Sequence, residues 1–268
     1  MKKIGFIGSG KMAQAMLEGM LSSNDITKEN IMASSATEKT RVKIEQKFGI
    51  LTTIDNQTVA KFADILILAV KPDIHPAIIE DIKKEVKHDV VVVTIAAGIT
   101  LDDIEKFFGK KIKAVRTMPN TPSLVGEGMS VICPNSYLRE EEIVEVEQLF
   151  STFGKTERLE EKWMDAVPAI SGSSPAYVYM FIEAMADGGV RQGIPREKAY
   201  RLAAQAVLGA AKMVLETGVH PGELKDNVCT PGGATIEAVA ELEKRQLRGG
   251  ILAAMEKCTE KVKHLKVD

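Results

Sequence analysis

The sequence predicts an α/β protein with a mostly parallel sheet in its first part and an all-helical second part. Three observations carry that expectation. Short β-rich runs alternate with helix-period segments up to about residue 162. From about Trp163 no β-rich run of useful length recurs and helical segments follow one another. A glycine-rich turn sits directly after the first run, which is where a βαβ unit opens. The expected division is a first domain over 1–162 and a second over 163–268.

Taken in order, "KIGFIG", "NIMASS", "DILILAV", "DVVVVTIA" and "KAVRTMP" are the β-rich runs. Helical patterns over Met12 to Leu21, Thr37 to Phe48, Asp73 to Val86 and Leu101 to Phe108 separate them. The unbroken apolarity of "ILILAV" and "VVVVTIA" fits interior strands covered on both faces. Ser35 with Glu38, and Thr100 with Asp103, read as helix starts, each an acceptor followed three residues later by an acid. "MSVICP" and "GKTERL" supply further strand candidates. In the second part, "PAYVYMFIEAMADGGV" and "AYRLAAQAVLGAAKMVLETG" are apolar almost all round. A small bundle facing water cannot hide such helices, so burial against a second copy of the chain is expected; a tight intrachain bundle with small-residue contacts is the alternative.

Composition removes several classes. The 268 residues carry 27% charged side chains and a net charge of −2, so there is no basic field for nucleic acid or an anionic membrane. Three cysteines, Cys133, Cys229 and Cys258, have no CxxC spacing, and the N-terminus turns into strand and glycine without a long apolar leader. A cytoplasmic protein is the expectation. The longest uncharged stretch, "AVPAISGSSPAYVYMFI", is interrupted by proline and serine and falls short of a membrane span.

The first chemical motif is "GFIGSGKMAQA", in which Gly8, Gly10 and Ala13 form GxGxxA at the first strand-to-helix turn. Gly8 permits the tight turn, Gly10 lets the backbone approach a pyrophosphate, and Ala13 allows close helix packing. The helix N-terminus then offers free N–H groups to the anion. A Rossmann-like dinucleotide site is the reading. The second run ends in Ser34 and Ser35 where an NAD site usually places an acid, and Lys39 and Arg41 follow. NADPH is therefore expected ahead of NADH, with a solvated helix face as the alternative role of the two cations. "LAVKP" and "IAAG" follow two interior runs, at the strand ends where open parallel sheets bind ligands; cofactor binding, with Lys71 a candidate for phosphate or ribose, and plain turn chemistry are the two readings of each loop. "RTMPNTP" reads as a rigid turn without a catalytic role.

What is missing is also informative. His75, His88, His220 and His264 form no metal spacing, and His75 beside Pro76 is expected to be a surface or loop residue. No metal is expected. Between Trp163 and Val190 there is no Lys, Arg or His. An alcohol dehydrogenase needs an acid or base for the hydroxyl proton. A substrate that carries its own proton, such as a C=N group, suits the sequence better.

These residues lead to a family. Through "GFIGSGKM", "IMASS", "LAVKP", "AAG", "MPNTP", "SGSSPAY", "ADGGV", "AAKM" and above all "HPGELKDNVCTPGGATI", the chain resembles the pyrroline-5-carboxylate reductases over essentially its whole length. The resemblance implies NAD(P)H-dependent reduction of 1-pyrroline-5-carboxylate to L-proline, the last step of proline biosynthesis. It also implies a helical C-terminal domain that interlocks in a homodimer, with dimers often assembled into decamers. Carried over by position, the family's cofactor contacts fall on Phe6, Ile7, Gly8, Ser9, Gly10, Lys11, Met12, Ser34, Asn56, Ala69, Val70, Lys71, Pro72, Ala96, Ala97 and Gly98. Ser35 joins them from the strand-end argument. Substrate contacts fall on Glu161, Asn227, Ala234 and Thr235, with Thr230 in the same loop. One departure is Ser174, where many members have glycine.

Glycine and helix geometry assign that loop a role independently of the family. Gly232 and Gly233 bare their N–H groups before a helix expected to begin near Thr235, which makes an anion site suited to a carboxylate. Thr235 is the expected catalytic residue, placing a hydroxyl at the mouth of the site, with helix N-cap as its alternative role. Two other functions compete. A β-hydroxyacid dehydrogenase shares the plan but needs a catalytic Lys after "SGSSPAY", where none stands. A non-enzymatic NADP-sensing protein would keep "GSGKMA" and lose "PGGAT", which is intact.

Overall fold

A computed structural model describes residues 2–23 and 26–265. The chain divides into two compact units, one of residues 1–173 with 258–268 and the other of residues 174–257.

The first unit is built on an eight-stranded sheet: β1 (Ile4–Ile7), β2 (Ile31–Ser34), β3 (Leu51–Thr53), β4 (Ile65–Leu68), β5 (Val91–Thr94), β6 (Lys113–Met118), β7 (Gly128–Pro134) and β8 (Gly154–Arg158). The spatial order is β3-β2-β1-β4-β5-β6-β7-β8, parallel throughout except for the β6–β7 pair. All seven β-rich runs of the sequence are strands. β3 is an addition, a three-residue edge strand too short and too exposed to leave a periodic signal.

Alternation along the strands sends side chains to two separate cores. Ile7, Leu66, Leu68 and Val92 face one layer with Val59 of α3 (Asn56–Phe62), Ile79 of α4 (His75–Ile82) and Ile104 of α5 (Leu101–Phe108). Phe6, Ile65, Ile67 and Val93 face the other, with Met16 of α1 (Lys11–Ser22), Ile44 of α2 (Glu38–Phe48) and Val146 of α6 (Glu140–Ser151). The interior strands β1, β4 and β5 are buried along their whole length, so apolar runs without polar interruption follow from the two-sided cover.

Of the two helix starts that local acceptors predict, one is present. Thr100 accepts from the Asp103 N–H while Asp103 reaches back to the Thr100 N–H, a complete capping box on α5. Ser35 does not cap α2. It lies one residue past β2 and is still buried, and the chain runs on through Ala36 to Thr37 before it turns, so the Thr37 hydroxyl accepts the Thr40 N–H instead.

The second unit holds α7 (Ser174–Arg191), α8 (Arg196–Thr217), α9 (Pro221–Val228), α10 (Ala234–Lys244) and the first turns of α11 (Leu247–Lys263). Ser174 opens α7, so the serine in place of the family's glycine sits at a helix start. α7 and α8 approach through small residues. Among the described residues of this unit only Ala186, Ala199 and Ala203 are buried, and a Cβ on Gly189 would lie 3.3 Å from the Ala199 Cβ. The large apolar side chains stay outside that seam: Met180 is 69% exposed, Leu202 61% and Leu215 82% in the single chain. Among the described residues no helix is long and apolar enough to cross a membrane.

Candidate active site

The reversal of strand order between β1 and β4 opens a crevice at the strands' carboxyl ends, and the cofactor candidates gather there. Gly8 has φ +96°, and a Cβ at that position would lie 2.6 Å from the Ala69 carbonyl oxygen, so both the turn and the neighbouring loop require glycine. Gly10 is the N-cap of α1 and carries no side-chain cap bond, while a Cβ there would face open space. Its uncapped helix end and bare approach fit a pyrophosphate. Ala13 is buried where α1 meets the sheet.

Serines at the end of β2 tie this turn in place. The Ser34 hydroxyl accepts the Gly8 N–H at 3.3 Å and donates to Asn56 Oδ1 at 2.7 Å, while Ser35 and Ser9 share a hydroxyl hydrogen bond of 2.6 Å. Ser9, Ser34 and Ser35 are all buried. Arg41 is held by Glu38 and Glu45 and also donates to Thr52. Lys39 is exposed and pairs with no carboxylate among the described residues. The two cations that the sequence offers together are thus distinct: one is occupied by its own helix and the other is available.

Ala69–Pro72 and Ala96–Gly98 leave β4 and β5 at the same rim. Gly98 has φ +83°, and a Cβ there would touch Leu265 at 3.2 Å. A cavity of about 400 Å³ reaches the second of these loops at Ala97 and is lined further by Met12, Met118, Asn120, Val262 and Leu265 among others. Asn120 of the "MPNTP" turn is buried and braced, donating to the Ser171 carbonyl and accepting from the Met129 N–H. That bracing agrees with a rigid turn.

Glu161 also lies in the first unit. Its Oε1 accepts the Leu101 N–H at the start of α5 at 2.8 Å and stands 3.6 Å from Arg116 Nη1. Arg116 is 2% exposed and donates to Asp165 at 2.6 Å. Sequence reasoning passes over this arginine, although a cation in the middle of the strand run "KAVRTM" is a signal that something anionic must meet it. His75 is a correction. Expected as a surface or loop residue, it is fully buried at the first position of α4, because its ring finds two polar partners within the first unit, the Lys71 carbonyl and the Thr94 hydroxyl. Burial holds its imidazole below the usual range, against smaller opposing effects from the Lys71 carbonyl and Asp73. Burial likewise pushes the Cys133 thiol up to about 11, which leaves it no nucleophile near neutral pH. Among the described residues no three metal-binding side chains cluster.

The remaining substrate candidates, Asn227, Thr230, Gly232, Gly233, Ala234 and Thr235, form one loop-to-helix junction in the second unit. α10 begins at Ala234, so Gly233 is the N-cap and Thr235 the second helical residue. The cap role for Thr235 is thereby excluded, since a side chain one position inside the helix cannot serve as its N-cap. Gly232 has φ +69°, and a Cβ on Gly233 would collide with Thr230 Oγ1. Both glycines are steric requirements of a turn whose Gly233 N–H bonds the Thr230 carbonyl at 3.0 Å. No side chain caps α10, so its N-terminal donors remain for an anion.

Both halves match known families. Residues 161–265 match the family described as pyrroline-5-carboxylate reductase dimerisation, and residues 3–98 match NADP oxidoreductase coenzyme F420-dependent. A pyrroline-5-carboxylate reductase of Escherichia coli is 47% identical over 264 residues, covering 98% of each chain. The chain belongs to the pyrroline-5-carboxylate reductase family. A second member, from Methanosarcina acetivorans, is 42% identical over the same share of both chains. The solved Plasmodium falciparum pyrroline carboxylate reductase with NADP bound superposes with a TM-score of 0.90 at 34% identity, covering 99% of this chain and 98% of that one.

Proposed function

We propose that this reductase transfers hydride to the imine of 1-pyrroline-5-carboxylate to give L-proline, the last step of proline biosynthesis, in the cytoplasm as a homodimer that prefers NADPH. The observation that carries the reading is the 47% identity to a named pyrroline-5-carboxylate reductase across 98% of both chains, both halves included. The dimerisation match over 161–265 and the exposed Met180, Leu202 and Leu215 support assembly of copies. A decamer built from such dimers extends that reading.

Each residue then has a stated task. Gly8 and Gly10 bring backbone and helix N-terminus to the cofactor's pyrophosphate, and Ser34, Ser35 and Asn56 hold that turn rigid from behind. Lys39 supplies the cation for a 2′-phosphate, since Arg41 is already paired. A bound nicotinamide cofactor supplies the hydride. The uncapped N-terminus of α10, with Gly232 and Gly233, takes the substrate carboxylate, with Asn227 and Thr230 in the same junction; Glu161 is assigned to the substrate by family resemblance alone. Thr235 orients the ring nitrogen through its hydroxyl oxygen, which accepts the N–H of the protonated imine. Rate enhancement is mainly positioning, because an imine protonated before reduction needs no covalent help.

NADPH oxidation measured with 1-pyrroline-5-carboxylate, with hydroxy- and keto-acids, and with no substrate tests the reading. Consumption that depends on the pyrroline supports it. Consumption only with a hydroxy- or keto-acid, or with nothing, overturns it.

A further inference from the structure

His75 is a buried, polar side chain that the reaction itself does not use, yet it stands between the two loops read as cofactor-binding. It is the first residue of α4, three positions past Pro72. Its Nδ1 lies 2.9 Å from the Lys71 carbonyl oxygen in the Ala69–Pro72 loop. Its Nε2 lies 3.0 Å from Thr94 Oγ1 at the end of β5, and the same hydroxyl oxygen accepts the Ala96 N–H at 3.2 Å.

Proton bookkeeping leaves one assignment. A carbonyl oxygen only accepts, so Nδ1 carries the hydrogen. Burial disfavours the imidazolium, so Nε2 is a bare acceptor and the Thr94 hydroxyl donates to it. The Thr94 oxygen is then free to accept from Ala96. Three hydrogen bonds run in one direction, from the Ala96 N–H through Thr94 and His75 to the Lys71 carbonyl, and such chains reinforce one another in a dry interior. At the last rung of the sheet, by contrast, the Ile95 N–H reaches the Leu68 carbonyl only at 3.5 Å. Beyond that rung, His75 links the loops.

We propose that His75 is a positioning residue that, with Thr94, fixes the spacing of the 69–72 and 96–98 loops and so sets the affinity for the nicotinamide cofactor. This rests on the reading of both loops as cofactor-binding. The test is NADPH binding to the full-length, assembled protein, followed by fluorescence, with thermal unfolding and the KM for the pyrroline substrate measured beside it. His75→Phe and Thr94→Val each raise the NADPH Kd about tenfold, the cost of one lost buried hydrogen-bond link. The double variant is no weaker than the worse single, because both changes break the same chain of bonds. Thr94→Ser, which keeps the hydroxyl, stays within about twofold of the parent, and the pyrroline KM at saturating NADPH does not move. His75→Asn retains a donor for Lys71 but cannot reach Thr94, and gives the same rise should a phenyl ring disturb packing. Ala97→Trp alters a loop directly and serves as the control. A parental Kd in both single variants, or losses that multiply in the double, overturns the link if Ala97→Trp still weakens binding. If Ala97→Trp also leaves the Kd unchanged, it is the reading of the loops that fails.

Discussion

The two units of the chain solve the burial problem in different ways. In the first, Phe6, Leu66, Ile67, Leu68 and Phe150 are wholly buried, and even the charged side chains of Arg116 and Glu142 find partners inside the unit. In the second, three alanines make up the buried seam while Met180, Leu202 and Leu215 face outward. A sheet covered on both faces is self-sufficient, whereas long helices that are apolar all round are half of a larger core. The cofactor turn therefore rests on a rigid frame. The loop before α10, proposed for the substrate, rests on a unit whose large apolar side chains stay exposed in the single chain.

The largest effect should come from attacking that exposed surface. Leu215→Glu places a charge on the face assigned to a second copy, and sedimentation should show dissociation with activity falling by roughly 100-fold or more. Val144→Glu, on a half-exposed position of α6 in the first unit, should leave both assembly and activity unchanged. If both variants stay assembled, the contrast between the units is wrong.

Next is chemistry within the second unit. Thr235→Ala should lower turnover about 10-fold to 100-fold at saturating substrate, the range of a lost orienting bond, with the melting temperature unchanged because Gly233, not Thr235, caps α10. Unaltered turnover would remove Thr235 from the site.

A smaller effect belongs to the first unit alone. Glu142 is buried, which pushes its pKa up, but the Arg139 N–H and the Lys113 ammonium at 2.7 Å outweigh that and hold it at about 2. A depressed carboxylate stabilises the fold above its unfolded value of 4.5 and loses that contribution as pH falls toward 2. On the order of 2 kcal/mol should disappear over that window, and Glu142→Gln should flatten the dependence. Equal acid sensitivity in the parent and the variant would deny the pair its role.

The smallest effect concerns cofactor choice. Lys39→Ala should raise the NADPH KM about five- to tenfold and leave the NADH KM alone, as befits one exposed charge on a phosphate. Arg41→Ala should do less, its guanidinium being held by Glu38 and Glu45. Ser34→Asp should weaken both cofactors by disturbing the Gly8 turn that Ser34 braces, and NADPH further than NADH by charge repulsion; losses equal for the two would sink the assignment of the 2′-phosphate site.

The same contrast explains what is legible in advance. Interior strands such as "ILILAV" announce themselves because cover on both faces demands unbroken apolarity, and GxGxxA is visible because Gly8 and Gly10 are backbone requirements at fixed spacing. Thr100 and Asp103 lie close enough in sequence for their capping box to be local. β3 is too short to carry a period, and Ser35 looks like a cap because nothing near it in sequence reveals Ser9 as its partner 26 residues away. His75 and Arg116 escape a sequence reading for the same reason: their partners, Thr94 and Asp165, are 19 and 49 positions distant. Long-range polar pairing is what a linear reading lacks.

The central claim is the transfer of hydride to the imine carbon of 1-pyrroline-5-carboxylate, the ring carbon that does not bear the carboxylate. Reduction with NADPH carrying deuterium at both C4 positions of the nicotinamide, followed by NMR of the product, addresses it directly. The expected product is L-proline labelled at its δ carbon. Label at the α carbon, or unlabelled product, would contradict the assignment.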